Sequence, residues 1–295
     1  MIIASKWTKI AKINIIIVGD YMEYFHENRV YSEDLPLSIQ SHREFNFYAH
    51  WHTDIEVVLV RDGSITMGVN DEKRQLIKGD MAICSSGDIH YFDSRGKYSD
   101  ILILIFKSEL IGSPVKWPVD FRFLSPFISS VQLDSSIWSQ ISGVLDFIRH
   151  EINQKNTAYE MLIKAKLYEL CAMLVRYTTS IGIADTKKYK THKRLEKMQR
   201  ILSYLQDNYI NDLTVIETSK QFKMSQFHFC RLFKSMTGVN FKTYLNTIRV
   251  TRAEELIVNT GKPITEIAFE CGFNSIRTFN RVYKKIKGCT PSKLR

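Results

Sequence analysis

The sequence is poor in the signatures that mark several large protein classes. Its five cysteines, Cys84, Cys171, Cys230, Cys271 and Cys289, are odd in number and scattered. No CxxC pair or Cys/His cluster joins them, which argues against a disulfide framework or a structural zinc site and for reduced thiols. There is no P-loop, no GxGxxG after a strand and no nucleophile–base constellation. A membrane span needs roughly 20 apolar residues, and the N-terminal run at 13–18 is far shorter and is broken by Asn14. Lys6, Lys9 and Lys12 precede that run in the order of a signal peptide, but no small-residue cleavage site follows. A more typical stretch opens at Met22, so residues 1–21 read as an N-terminal extension.

Acidic residues are scarce in the last third. Residues 187–295 hold 22 Lys and Arg against 8 Asp and Glu, a net +14, whereas the first 186 residues sum to −4. One basic domain on an acidic remainder suits a polyanion partner held by that domain alone. A length of 295 residues allows two domains, and 44% hydrophobic residues support a real core.

What the C-terminal third does contain is an internal repeat. Ser225, Phe229, Arg231, Phe233, Lys234 and Gly238 recur as Ser275, Phe279, Arg281, Tyr283, Lys284 and Gly288 at a constant offset of 50. Phe229, Leu232, Phe233 and Met236 fall at i, i+3, i+4 and i+7, as do Phe279, Val282, Tyr283 and Ile286, so each copy predicts an amphipathic helix. Ser225 and Ser275 are N-cap residues, and Gly238 and Gly288 sit where each helix should stop. The outward face of the first helix carries Phe227, Cys230, Arg231 and Lys234. That of the second carries Arg277, Asn280, Arg281 and Lys284. A shorter helical segment precedes each, with Ile267, Ala268 and Cys271 on one face and Gly272 for the tight turn in the second copy. The first copy has Lys223 instead of a turn glycine. This is a helix-turn-helix pattern twice over. A helical period over 241–259 joins the units. At ~1.5 Å per residue it spans roughly 28 Å, close to the ~34 Å of one DNA turn.

The arrangement resembles the C-terminal domain of AraC/XylS-family transcription regulators over residues 193–295. The residues that carry the resemblance are Ala268, Gly272, Phe273, Asn274, Phe279, Arg281, Lys284, Lys285, Gly288, Thr290 and Pro291. Leu294 stands where the family usually has Tyr, and Thr218-Ser219 where it has Leu-Ala, which suggests a looser first unit. The resemblance implies helix-turn-helix units at about 213–238 and 264–288, with the joining helix at about 241–259.

Residues 45–106 change to a strand pattern. Segments 55–60, 64–69, 75–77, 81–84 and 101–106, the last fully apolar, read as short strands separated by turn signals, of which Arg61-Asp62-Gly63 reads as a hairpin. His50, His52 and Glu56 are all even-numbered and would share one face of a single strand. HxHx3Ex6G followed by Gx7Gx2H resembles the two motifs of the cupin barrel, with Ser85 where a proline is usual. In metal-binding cupins the matching positions, here His50, His52, Glu56 and His90, are the ligands, and such a set could take iron, manganese, nickel or zinc. In sensor domains of the regulator family the same stretch lines a pocket for a small molecule, for which a sugar is a candidate. A third role is hydrogen bonding within the barrel. Trp51 alternates to the other face as packing. Helical stripes follow, at Ile137, Ile141, Val144, Leu145 and Ile148, and at Met161, Leu162, Ala165, Leu170, Met173 and Leu174, which serve either a dimer contact or the barrel. Residues 181–192 are polar and read as a linker.

The expected fold is therefore α+β multidomain. A cupin-like β-barrel with flanking helices covers 22–180, and an all-α domain with two helix-turn-helix units covers 193–295. The expected function is sequence-specific binding of double-stranded DNA by a cytoplasmic transcription activator that answers to a small-molecule effector, without enzymatic activity, cofactor or membrane. RNA polymerase and a second copy of the chain are further partners that the resemblance implies. The competing classes are a metal-dependent cupin enzyme with a DNA-binding appendage and a DNA binder that senses nothing. The charge asymmetry and the duplicated motif, which an enzyme does not require, and the strand-patterned N-terminal half, which a passive tail does not require, argue against them.

Overall fold

A computed structural model describes residues 31, 35–112, 123, 125–178 and 185–294. The extension at 1–21 and Arg295 lie outside the described residues.

Eight strands build the N-terminal half: β1 (Leu37–Arg43), β2 (Phe47–His50), β3 (Ile55–Val69), β4 (Glu72–Ile77), β5 (Met81–Cys84), β6 (His90–Asp93), β7 (Ser99–Phe106) and β8 (Phe127–Ile128). β3 is the spine. Its first half pairs antiparallel with β7 and β5, and its second half with β4 and β6. Around it the strands run β1-β7-β3-β5-β8, while β2 pairs with β6.

The expected hairpin at Arg61-Asp62-Gly63 is not one. β3 runs straight through it with a register shift between Val60 and Asp62, and Asp62 and Gly63 still pair with Asp100 and Ser99 of β7. The chain reverses instead at Asn70-Asp71, where Asn70 is left-handed at φ 53°. Gly63 is needed for a different reason. It has φ 73°, and a Cβ there would lie 2.2 Å from the Tyr98 carbonyl oxygen. A side chain must therefore move the backbone just before β7. The signal read as a turn marks a bulge.

Alternation along the strands separates two cores. Ile55, Val57 and Leu59 face outward with Leu102, Leu104 and Phe106, against two helices, α1 (Ser135–Gln154) and α2 (Tyr159–Tyr177). Val58, Val60, Ile101, Ile103 and Ile105 face the barrel interior with Phe92. Asp134 caps α1 by accepting from the Ser136 N–H at 2.8 Å. Ile141, Val144, Leu145 and Ile148 of α1 pack on the barrel, as do Leu170, Met173 and Leu174 of α2. Met161 does not share that face, being 73% exposed, and Leu162 is exposed too.

Helix α3 (Asp185–Asn208) opens the C-terminal half. Residues 185–192, expected as linker, form its first turns. Then come α4 (Val215–Gln221), α5 (Gln226–Thr237), α6 (Phe241–Asn259), α7 (Ile264–Glu270) and α8 (Ile276–Lys287). Ser225 and Ser275 cap α5 and α8, and Gly238 and Gly288 end them in left-handed conformation. The first unit makes its turn without glycine. Lys223 takes φ 52° where the second unit has Gly272 at φ 80°. The same backbone bond closes both turns, Met224 N–H to Ser219 O and Phe273 N–H to Ala268 O. Thr218 and Ser219 are buried there, their small volumes replacing Ile267 and Ala268. Arg249 of α6 fixes the junction with α3 by donating to the Tyr209 and Asn211 carbonyls, each at 2.8 Å.

Gly63→Ala should destabilise the chain by about 2 kcal/mol or more, since it adds left-handed strain to a backbone clash. A thermal melt that matches wild type would show that β3 can shift at this point.

Candidate nucleic-acid interface and sensor pocket

The stripes that bury Phe229, Leu232, Phe233 and Met236, or Phe279, Val282 and Tyr283, turn the opposite faces of α5 and α8 to solvent. All eight side chains expected at the interface lie on those faces. Phe227, Cys230, Arg231 and Lys234 are exposed on α5, and Arg277, Asn280, Arg281 and Lys284 on α8. Phe227 is 76% exposed, and the Arg231 guanidinium lies 5.7 Å from its ring centroid. It packs on no helix core.

Three other cations of this half are neutralised internally. Lys287 pairs with Glu254, Lys262 with Glu270 at 2.5 Å, and Arg252 with Glu255 at 3.1 Å. Among the described residues Arg231, Lys234, Arg277, Arg281 and Lys284 have no carboxylate partner, so their charge is available to phosphate or base edges. Lys285 and Gln226, exposed beside them, were not expected at the interface, although Lys285 carries part of the family resemblance. Their signal was only a position one residue from the face.

In the barrel, His50, His52, Glu56 and His90 come together, and all four are buried. They do not share one strand. His50 ends β2, His52 lies in the connection, Glu56 is on β3 and His90 opens β6. One ligand atom from each lies within 4.8 Å of all the others. The Glu56 carboxylate sits at the centre, with Oε2 3.3 Å from His52 Nε2 and 3.4 Å from His90 Nε2.

Each ring is held from behind by the backbone. The Nδ1 atoms lie 2.9 Å from the Tyr48 carbonyl, 3.1 Å from that of Asp54 and 2.9 Å from that of Asp88, for His50, His52 and His90 in turn. A carbonyl oxygen only accepts, so each Nδ1 carries the proton and donates it. That leaves Nε2 as the inward nitrogen, the arrangement by which outer hydrogen bonds orient histidine ligands. Neutral Nε2 atoms then face a carboxylate as acceptor against acceptor. The cluster calls for a cation, either a proton on a ring or a metal ion.

The titration of the groups follows from the same geometry. Burial, then the neighbouring His90 and His52, hold His50 well below the ordinary histidine value. Burial alone would raise Glu56, but the charge of His90 and the close approach of the His52 and His90 rings outweigh it and hold the carboxyl well below its usual range. Burial disfavours the His90 cation too, and its contacts with Cys84 and Glu56 overcome that and raise it well above the ordinary value. Burial pushes the neighbouring Cys84 thiol up to about 11. Cys84 thus adjoins the cluster as a neutral thiol, which spacing alone had not indicated.

The donor set fits a divalent transition-metal ion, with three imidazole nitrogens and one carboxylate. Such an ion would supply Lewis acidity or a fixed positive charge. Beside the cluster is a cavity of about 60 Å³, lined by Ser38, Gln40 and His42 of β1, by Phe47, and by Ile103 and Ile105 of β7. A water needs roughly 10–15 Å³ on this measure, so the cavity holds a few waters.

Fold and sites together define a two-domain DNA-binding regulator, a cupin barrel carrying a pair of helix-turn-helix units. Known proteins agree. A helix-turn-helix domain model matches residues 218–295, and a cupin domain model matches residues 40–106. The HTH-type transcriptional regulator ExsA of Pseudomonas aeruginosa is 32% identical over 251 residues, covering 81% of this chain and 85% of that protein. The HTH-type transcriptional activator RhaR of Mannheimia succiniciproducens is 22% identical over 277 residues, covering 94% and 97%. The melibiose operon regulatory protein of Escherichia coli is 23% identical over 255 residues, covering 84% and 83%. The chain belongs to the AraC family of HTH-type transcriptional regulators. No helix among the described residues is long and apolar enough to cross a membrane.

Arg281→Ala should weaken binding to a selected DNA site about tenfold or more, and binding to random DNA less, because a bidentate arginine–guanine pair contributes ~1–3 kcal/mol of discrimination. Equal losses in a titration against both DNAs would assign Arg281 to phosphate.

Proposed function

We propose that this protein is a cytoplasmic transcription activator that reads two successive major grooves with α5 and α8 and is controlled by a small polar effector in its barrel. The observation that carries this is the pair of matched helices, each presenting cations without carboxylate partners, on a chain whose other half closes around a buried polar pocket. In this reading Arg277, Asn280 and Arg281 contact bases from α8, while Phe227, Cys230 and Arg231 do so from α5, with Phe227 against a thymine methyl group. Lys234 and Lys284 contact phosphate. The barrel pocket around His50, His52, Glu56 and His90 takes the effector. A sugar is the favoured class, because one relative is named for the melibiose operon and the pocket wall carries Ser38, Gln40 and His42 for hydroxyl groups. Activation implies contact with RNA polymerase, and the outward Met161 and Leu162 of α2 would suit a second copy.

Footprinting of the protein across the genome of its own cell, with and without added sugars, tests this. Discrete sites next to carbohydrate genes, with occupancy or transcription changed by one sugar, are expected. Uniform, sequence-independent occupancy would overturn it. Binding to a selected site should also fall with salt at a log–log slope of about −0.9 per phosphate neutralised.

A second reading of the pocket is favoured by the facing acceptors at Glu56: His50, His52, Glu56 and His90 hold a metal ion that sets the barrel's shape. Elemental analysis of the purified chain should then find about one transition-metal ion per chain, lost in the His52→Ala, Glu56→Ala double variant. Metal-free wild type would assign the missing cation to a proton.

A further inference from the structure

The segments that form the histidine cluster have a second face, and it is the first helix-turn-helix unit that covers it. His50 and His52 point into the barrel, and Ala49 and Trp51 between them point away. His90 points in, and Ile89 and Tyr91 point away. Ala49, Ile89 and Tyr91, with Trp51 against them, belong to the same hydrophobic core as Leu195, Met198 and Leu202 of α3, Phe229, Phe233 and Met236 of α5, and Tyr244 of α6. The core of the second unit, by contrast, is made of residues between Val250 and Leu294.

Specific contacts fix this junction. The Tyr244 hydroxyl, fully buried, donates to the Ala49 carbonyl at 2.7 Å. The Tyr91 ring is clamped between two glycines, one from each half. A Cβ on Gly68 of β3 would lie 2.0 Å from it, and one on Gly238, at the end of α5, 2.7 Å. Gln199 of α3 donates to the Gly87 carbonyl at 2.6 Å, and Arg194 pairs with Asp71 at 3.2 Å. The two inner segments are tied to each other as well, by the Gly87 N–H to the His52 carbonyl at 2.8 Å.

The cavity beside the cluster is about 60 Å³, whereas pockets for small organic ligands run to ~300–1,000 Å³. An effector of monosaccharide size therefore cannot enter unless a wall moves. The walls are unequally held. β1 has seven consecutive partners on β7, and β3 is paired on both sides. β2 has two partners on β6, Phe47 with Phe92 and His50 with His90, with a register shift between them. Phe47 and His50 both line the cavity. β2 is the wall that gives, and Ala49 lies between those two residues on it.

We infer that β2 and residues 87–91 form a latch, in which the closed pocket holds the first helix-turn-helix unit against the barrel and opening the pocket for an organic effector releases it. The latch rests on the proposal that the barrel pocket takes a small effector. Coupling requires that the ligand favour one state over the other, and here the difference is steric: the latched pocket is too small. A metal ion, which fits the existing cluster, would leave the latch closed.

The test uses the full chain and needs no identified effector. Ile103→Trp fills the cavity from β7, away from the junction, and Ser38→Leu does so more gently from β1 should the first variant fail to fold. Tyr244→Phe removes the hydroxyl that holds Ala49 and keeps the ring. Hydrogen exchange followed by mass spectrometry should show both kinds of variant speeding exchange in the same two segments, 47–52 and 241–248. Affinity for DNA selected by the protein from a random pool should shift at least threefold in the same direction in each. The double variant should shift no further than the larger single one, because one latch can be opened only once. Folded cavity-filling variants that leave exchange over 241–248 unchanged, or additive shifts in the double variant, would overturn the latch. Failure to select any DNA sequence would count against the regulator itself, while the exchange pattern would still decide the latch.

Discussion

Side-chain alternation along two short extended segments is the constraint on which the two halves of this molecule depend. An extended backbone sends successive side chains to opposite sides. At 49–52 and 89–91 one side is the interior of the barrel and the other is the core of a helical domain. A polar cluster and an apolar junction are thereby built one backbone thickness apart, and neither can be repacked without the other. The Tyr244–Ala49 hydrogen bond anchors the contact at a carbonyl that a barrel strand of only two paired positions would otherwise hold loosely.

The histidine cluster shows how much of a site's chemistry lies behind the ligating atoms. Three backbone carbonyls set three tautomers, and those tautomers aim three lone pairs at one carboxylate. The resulting demand for a cation comes from geometry, with no specific ion implied. The adjoining apolar rings, Phe45, Phe47 and Phe92, offer the cluster no hydrogen bonds and lower the polarity around it, which strengthens that demand.

The two reading units are related but not equivalent. The second has its own core, a turn glycine and three basic residues in the last turn of α8. The first makes its turn with a lysine in left-handed conformation and shares its core with the barrel. An element whose stability is partly borrowed from a neighbour is the one whose position that neighbour can control. The α6 helix, rigid and 19 residues long, carries any such movement toward the second unit.

Local pattern was enough for the helical half. The i, i+3, i+4 stripes, serine caps and glycine stops placed α5, α6 and α8, because each reports on contacts within one helix or one turn. The exposed faces followed, since a helix that buries Phe229 and Phe233 must expose Arg231 and Lys234. Motif spacing likewise assembled His50, His52, Glu56 and His90. Pattern failed where the physics was not local. Gly63 looked like a hairpin turn because a turn and a bulge both demand positive φ, and only the pairing of Asp62 and Gly63 with β7 distinguishes them. The polar stretch 185–192 carries no apolar period, yet it is helical as the continuation of α3. The pocket volume, the inward Nε2 atoms and the junction between Ala49 and Tyr244 join residues far apart in the chain, 195 positions in the last case. Such contacts leave no periodicity behind, so the sequence by itself determined the elements and their faces, and tertiary packing decided which face of the sensor the first reading unit would share.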